Sequence, residues 1–143
     1  MRFRIITDTR EQRPYSFENS IRKALPSGDY SLEGLEDSIA IERKSLDDYI
    51  SSVIHSGGRF FRELKRLQAY EFAAVVIEGS ISDILSGSYK SKVSPESLFG
   101  LTVALIRDYH PVHILFAGDR PHAYSLTAKL LELHGEKYER SIA

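Results

Sequence analysis

The chain has 143 residues, 42% of them hydrophobic and 27% charged, which suits one ordinary soluble domain on the usual scale of about 100–200 residues. It contains no cysteine, so disulfides, thiolate zinc sites and cysteine nucleophiles are excluded, and any metal must be held by oxygen or imidazole. A net charge of −1 advertises no polyanion partner, and neither a membrane-length apolar run nor a secretory leader is visible, so the expectation is an intracellular protein, cytoplasmic or associated with the nucleoid, with no membrane partner.

Phe3, Ile5 and Thr7 alternate with Arg2, Arg4 and Ile6, which predicts a short opening strand that delivers Asp8 at its end. An acid placed there either reaches a site or starts an Asx-type turn, and Arg10 with Glu11 reads equally as a local ion pair or as part of such a site. Residues 12–27 form a connector with a short helix over 18–25. Pro26-Ser27-Gly28-Asp29 is a turn signal, so Asp29 also has a purely structural reading as a turn or strand-start residue.

Tyr30 and Leu32 share a strand face, and 33–37 make a hairpin turn into a strand over 39–44. Ile39 and Ile41 point one way from that strand, while Glu42 and Lys44 project side by side from the other. A strand, a turn and a return fit between Asp29 and Glu42, so a hairpin brings the two acids together. Two carboxylates and an ammonium so gathered are what metal-dependent phosphodiester cleavage needs: hard oxygens for a magnesium-like ion, and a cation for the developing charge. The plain alternative is a solvated face of an edge strand. Arg43 breaks the buried parity of Ile39 and Ile41, and either snorkels out at the strand end, pairs with an acid or contacts a phosphate.

Ser45 reads as a helix N-cap, with Asp48 three residues on completing a capping-box-like pair ahead of Tyr49, Ile50, Val53 and Ile54. After a break at 55–58, a helix over 59–70 turns Phe60, Leu64 and Leu67 inward. Its stripe of Arg59, Arg62 and Arg66, diluted by Glu63, is either a solvated face or a track for phosphates. Residues 72–77 predict a strand buried on both faces, ending in Glu78-Gly79. In the polar loop 86–92, Lys90 and Lys92 either brush a nucleic acid or simply face water. Ser94-Pro95-Glu96 opens a helix to about 109 that is apolar almost all round, and so lies in the core or at a subunit interface. A buried strand over 112–117 and a helix over 119–134, stopped by Gly135, complete the chain. His110, His113, His122 and His134 show no metal-ligand spacing together.

The string Gly28-Asp29 and Glu42-Arg43-Lys44-Ser45-Leu46-Asp47-Asp48 resembles the GD…ERKxxxD signature of the XPF/Mus81 structure-specific nucleases, the ERCC4-type nuclease domain. Asp8-Thr9-Arg10-Glu11 looks like that family's early D-x-R-E segment. Gly58-Arg59-Phe60-Phe61 with Leu64-Lys65-Arg66-Leu67 looks like its GR-F…LKRL helix, and Val76-Ile77-Glu78-Gly79 is similar to its strand-ending IEG. The stretch between Glu11 and Gly28 is short for the family and no tandem helix-hairpin-helix domain follows, so residues 1–143 are expected to form a single nuclease domain.

The resemblance implies an α/β, restriction-endonuclease-like fold with a central mixed sheet flanked by helices. It implies a divalent-metal-dependent DNA endonuclease that hydrolyses backbone phosphodiesters at branched, forked or flap structures in repair or recombination. Asp29, Glu42, the carbonyl of Arg43 and Asp8 would then hold Mg2+, for which Mn2+ substitutes. Lys44 would position the attacking water or stabilise the charge, with Asp48 and Arg10 arranging the groups around it. Arg43, Arg59, Arg62, Arg66, Lys90 and Lys92 are the candidate DNA contacts. The expected partners are branched DNA, a second subunit in a homodimer or heterodimer, and a separate targeting subunit. The alternative is a catalytically silent scaffold of the same fold that binds DNA or a partner; RNA in place of DNA is a third reading.

Overall fold

The computed structural model describes residues 2–142. Strand β1 (Ile5–Thr7) is buried along its whole length, with β2 (Ser20–Arg22) parallel to it on one side and β3 (Tyr30–Leu32) antiparallel on the other. β4 (Ile39–Ser45) returns antiparallel to β3, and β5 (Phe72–Glu78) and β6 (His113–Phe116) add in parallel, giving one mixed sheet in the order β2-β1-β3-β4-β5-β6. The parallel crossovers carry α1 (Leu46–His55) and α2 (Arg59–Leu67), then α3 (Ile81–Ser86) and α4 (Pro95–Asp108); α5 (Arg120–Ile142) follows β6. Every strand but β3 runs the same way, so five carboxyl ends share one rim, where open α/β sheets place their sites.

Strand alternation gives the sheet two cores. Ala40, Val75 and Ile77 pack with Tyr49, Ile50, Phe60, Leu64 and Leu98 on one face. On the other, Ile5, Tyr30, Ile39, Ile41, Ala74 and Val76 pack with Tyr15 and, from α5, Ala123 and Leu131. β5 lies under both layers, and its residues from Ala73 to Ile77 are accordingly all buried. Ser45 is both the last residue of β4 and the N-cap of α1, where its Oγ accepts from the Asp48 N–H at 3.1 Å; this is the forward half of a capping box.

The structure corrects four sequence expectations. Residues 18–25 form no helix: eight residues are too few to hold one alone, and 20–22 pair instead with β1, supported by Ile5 N–H to Asn19 O (2.9 Å) and Lys23 N–H to Thr7 O (3.1 Å). α2 stops at Leu67 rather than running to 70. The strand at 112–117 is only half-buried, because β6 is the sheet edge with a single neighbour. Gly135 does not stop the last helix but lies buried within α5, and beyond it Lys137 Nζ reaches Glu71 at 2.7 Å and Tyr138 bonds the same carboxylate, so the helix continues despite the roughly 1 kcal/mol cost of a helical glycine. α4 divides its apolar residues: Leu98 and Leu105 are buried in the core, while Leu101, Val103 and Ile106 are exposed. Among the described residues no helix is long and apolar enough to cross a membrane.

Gly79 ends β5 against the start of α1, where an added Cβ would stand 2.9 Å from the Cβ of Leu46. That atom cannot swing away as a side-chain tip can. Gly79→Ala is therefore expected to displace the α1 N-terminus and lower stability by about 1–3 kcal/mol, measured by urea unfolding.

Candidate active site

Gly28 adopts φ 80°, and a Cβ there would meet the Ile41 carbonyl oxygen at 3.2 Å, so the turn requires glycine. This close approach seats Asp29 against β4: its N–H donates to Ile41 O at 2.8 Å, its carbonyl accepts from Asp8 N–H at 2.8 Å, and its Oδ2 accepts from the Arg43 N–H at 2.7 Å. Asp29 and Glu42 meet and share a hydrogen bond. Burial first, and then the neighbouring acids, push both carboxyls well above the usual carboxylate range. For Asp29 the repelling charge is Glu11; for Glu42 it is Asp29 and then Glu63. The pair thus retains a shared proton at pH values where isolated acids are ionised.

The dyad opens into a small cleft of about 200 Å³ lined by Asp8, Arg10, Pro26, Ser27, Gly28, Asp29, Glu42, Glu63 and Arg66. Asp8 is buried; Arg10 grips it in a fork (2.9 and 3.1 Å), and the Leu25 N–H donates to it at 2.7 Å. Burial alone would raise its pKa, but these donors outweigh burial and hold it below the ordinary value. In the sequence Glu63 shows only as a diluent of the basic stripe on its helix. Its Oε1 in fact accepts from Gly28 N–H at 3.3 Å, and Arg66 stands 3.8 Å from it. The helical spacing of Arg59, Glu63 and Arg66 put it on that face, but nothing in the sequence said that the face meets the Gly28 turn.

Lys44 projects from the same side of β4 as Glu42 and is half-buried, with Nζ 5.1 Å from the centre of the Phe60 ring. Asp48 is exposed in the first turn of α1 and is not brought to the cleft. Arg59 and Arg62 are exposed on α2. Lys90 and Lys92 line a different groove of about 590 Å³, with Asp47, Ser51, Ile54 and His55 among its walls, which shares no residue with the acid cleft.

Arg43 is a correction. A DNA contact requires an open guanidinium, but this side chain is 8% exposed and lies on the opposite face of the sheet from Glu42. It bonds Glu11 at 2.9 Å and Glu78 at 2.9 Å, whose side chains are 5% and 9% exposed. Glu78 also accepts from the Tyr15 hydroxyl at 2.7 Å and stands 3.4 Å from Arg120. Burial and this carboxylate push the Tyr15 pKa up and keep its proton in place. The Arg43 backbone does stay at the site: its N–H faces Asp29, and in a strand the carbonyl of the same residue faces the same way.

Among the described residues no three His, Asp or Glu side chains converge closely enough to hold an ion by themselves. The donor set of Asp29, Glu42 and the Arg43 carbonyl nevertheless fits Mg2+, a hard cation that keeps several waters and needs only one or two protein carboxylates.

A mixed sheet with an Asp–Glu pair and a lysine at the carboxyl rim is the arrangement of a nuclease-type domain, and the comparisons give its family. The ERCC4 domain model matches residues 7–130, and the chain belongs to that family. Over 92% of this chain the fold superposes on XPF from Aeropyrum pernix with a TM-score of 0.71 and 28% identity, covering 61% of that protein. The structure of the same protein in complex with DNA gives 0.69 and 29% identity over 95% of this chain and 66% of that one. The fold is accordingly the restriction-endonuclease-like fold of the XPF nuclease domain. In sequence, the chain is 31% identical over 106 residues, 73% of its length, to a protein of Saccharolobus solfataricus named 3'-flap repair endonuclease Xpf. It is 27% identical over 143 residues, 97% of its length, to a protein of Methanocaldococcus jannaschii provisionally named an ATP-dependent RNA helicase. It spans 41% and 17% of those two relatives.

Two outcomes follow from the site. Replacing Arg43 by Met leaves two buried carboxylates facing each other and is expected to cost about 3–5 kcal/mol in urea unfolding. The raised dyad sets a pH dependence of opposite sign to a salt-bridged acid. Above the usual carboxylate pKa of about 4, the unfolded chain releases protons that the folded dyad retains, so the dyad's contribution to stability falls as pH rises through its raised range. Glu42→Gln should flatten the decline in Tm of the metal-free protein between about pH 5 and 8.

Proposed function

We propose that this chain is a divalent-metal-dependent DNA endonuclease unit that hydrolyses backbone phosphodiesters at branched, forked or flap structures. The observation that carries the reading is the Asp29–Glu42 pair at the rim with Lys44 two residues along on the same face of β4. The names of the relatives support it: one is a 3'-flap repair endonuclease, and one solved neighbour is a complex with DNA.

Asp29 and Glu42, once their shared proton leaves, present adjacent oxygens, while the Arg43 N–H keeps Asp29 turned toward Glu42. Mg2+ held there, or Mn2+ in its place, would lower the pKa of a bound water and offset charge on the scissile phosphate. Lys44, in leaving the Phe60 ring, orients the attacking water or meets the developing charge. Asp8, held by Arg10, adds negative potential to the cleft, and exposed Arg10 and Arg66 at its edge take the flanking phosphates. Asp48, one turn into α1, orients Lys44 only through solvent. Arg59, Arg62, Lys90 and Lys92 extend the backbone track, with no base code. The apolar residues that α4 leaves uncovered, Leu101, Val103 and Ile106, are the proposed contacts of a second subunit, and a targeting subunit would add to the selection of a DNA shape. DNA as substrate places the work inside the cell.

Labelled flap, fork, Holliday-type and linear DNA, incubated with Mg2+ or Mn2+ and then with chelator, tests the proposal. Cleavage of the branched forms should stop with chelator and fall by at least about 10²-fold in Asp29→Ala and Lys44→Ala proteins that melt as the parent does. Cleavage without metal, or surviving both substitutions, overturns the mechanism; tight binding without cleavage assigns a scaffold. Raising salt from 50 to 200 mM should weaken binding by about 10³-fold or more if six or so phosphates are met.

A further inference from the structure

On the face of the sheet opposite the acid cleft, but at the same rim, a cavity of about 480 Å³ is lined by Pro14, Tyr15, Ser16, Arg120, Pro121 and Tyr124. The Tyr15 ring is stacked on Tyr30 with centroids 5.5 Å apart, and its hydroxyl is fixed by Glu78. Arg120 lies over the Tyr15 ring at 4.7 Å and donates to the carbonyls of Arg13 and Pro14 at 3.0 and 3.2 Å. Tyr124 stacks on Phe17 at 5.3 Å with its hydroxyl on Ser16 O, yet remains 38% exposed. Core packing accounts for Tyr15. It does not account for an aromatic ring held open beside a half-exposed arginine at the first turns of α5.

The chemistry of these walls selects a ligand. Flat rings, proline faces and a guanidinium suit a planar heterocycle, which every nucleobase offers whatever its identity. The charge agrees with a strand that carries phosphates: Arg13 is exposed and has no acid partner among the described residues, while Arg120, 3.4 Å from Glu78, is held in place as a wall of the cavity. The position agrees too. The segment holding Arg13 to Ser16 leaves the rim just after Glu11, which grips Arg43, and Arg43 in turn lies back to back with the dyad strand face. A strand passing around the rim from the cleft meets this cavity on the other side.

We propose that the cavity holds one unpaired nucleobase, stacked on Tyr124, from a single-stranded arm of the substrate. Arg13 faces the phosphate of that nucleotide. The assignment rests on the chain acting on DNA, as proposed above. A paired base in a duplex is not available to the cavity, so the contact favours DNA that has a single-stranded arm over continuous duplex, without reading base sequence.

Fluorescence of 2-aminopurine in a single-stranded oligonucleotide reports the stacking directly. The wild-type chain and Tyr124→Phe should quench it. Tyr124→Leu, which keeps apolar cover over Phe17, should lose the quench and bind single strands about tenfold more weakly, with linear-duplex affinity unchanged. Quench and affinity unchanged in Tyr124→Leu overturn the proposal, and so does a loss of affinity that is equal on single strands and on duplex. A halogenated uracil in the same oligonucleotide needs no variant: photocrosslinks should map to Tyr124 or Tyr15, and crosslinks confined to other residues overturn the assignment. Wild-type protein that binds no DNA of any shape would instead remove the functional reading on which this one stands.

Discussion

The buried contact of Arg43 with Glu11 and Glu78 is the constraint from which the site is built. Taking a guanidinium and two carboxylates out of water costs several kcal/mol per ion, which the close hydrogen-bonded geometry offsets, and the two acids come from different elements, the loop after β1 and the end of β5. The same contact continues outward through Glu78 to Tyr15 and Arg120, so the loop after β1, β4, the end of β5 and the start of α5 are fixed to one another at the rim. Arg43 also holds Asp29 through its backbone N–H. Its side chain serves the framework and its main chain serves the site.

Across the sheet the electrostatics are deliberately unequal. Asp8 is matched by Arg10 and backbone donors, and stays ionised. Asp29 and Glu42 are forced together by the Gly28 turn with too little positive charge nearby, and their shared proton is held. Carboxyls within one cleft whose environments drive their pKa values apart are characteristic of sites that bind cations or move protons, and less so of structural ion pairs.

The strand alternation of β4 was legible from the sequence because Ile39 and Ile41 fix its parity, and parity alone separates Arg43 from Glu42 and Lys44. The approach of Asp29 to Glu42 followed from the hairpin spacing, and the start of α1 from Ser45. What escaped was tertiary. No local pattern announces that Glu78 and Glu11 lie on either side of Arg43, that Glu63 of α2 reaches the Gly28 N–H, or that Ser20 to Arg22 pair with β1 instead of coiling. Gly135 misled because a small residue inside a helix and one at its end look alike until the contacts of Lys137 and Tyr138 are known. The departure of Asp48 from the cleft has the same origin: its place in a motif is a matter of order along the chain, while its direction is set by the rotation of α1.

That rotation has a further consequence. Ser45 belongs to both β4 and α1, so no loop separates Lys44 from the helix, and the last strand residue and the first helical turn form one stiff joint. A single residue inserted there would swivel Tyr49, Ile50 and Val53 by about 100° out of the core, whereas the long connector after β1 can lengthen without such a penalty. Natural variation in the length of this domain should therefore accumulate on the β1 side of the cleft, leaving the β4–α1 joint as the fixed jaw against which that side is remodelled.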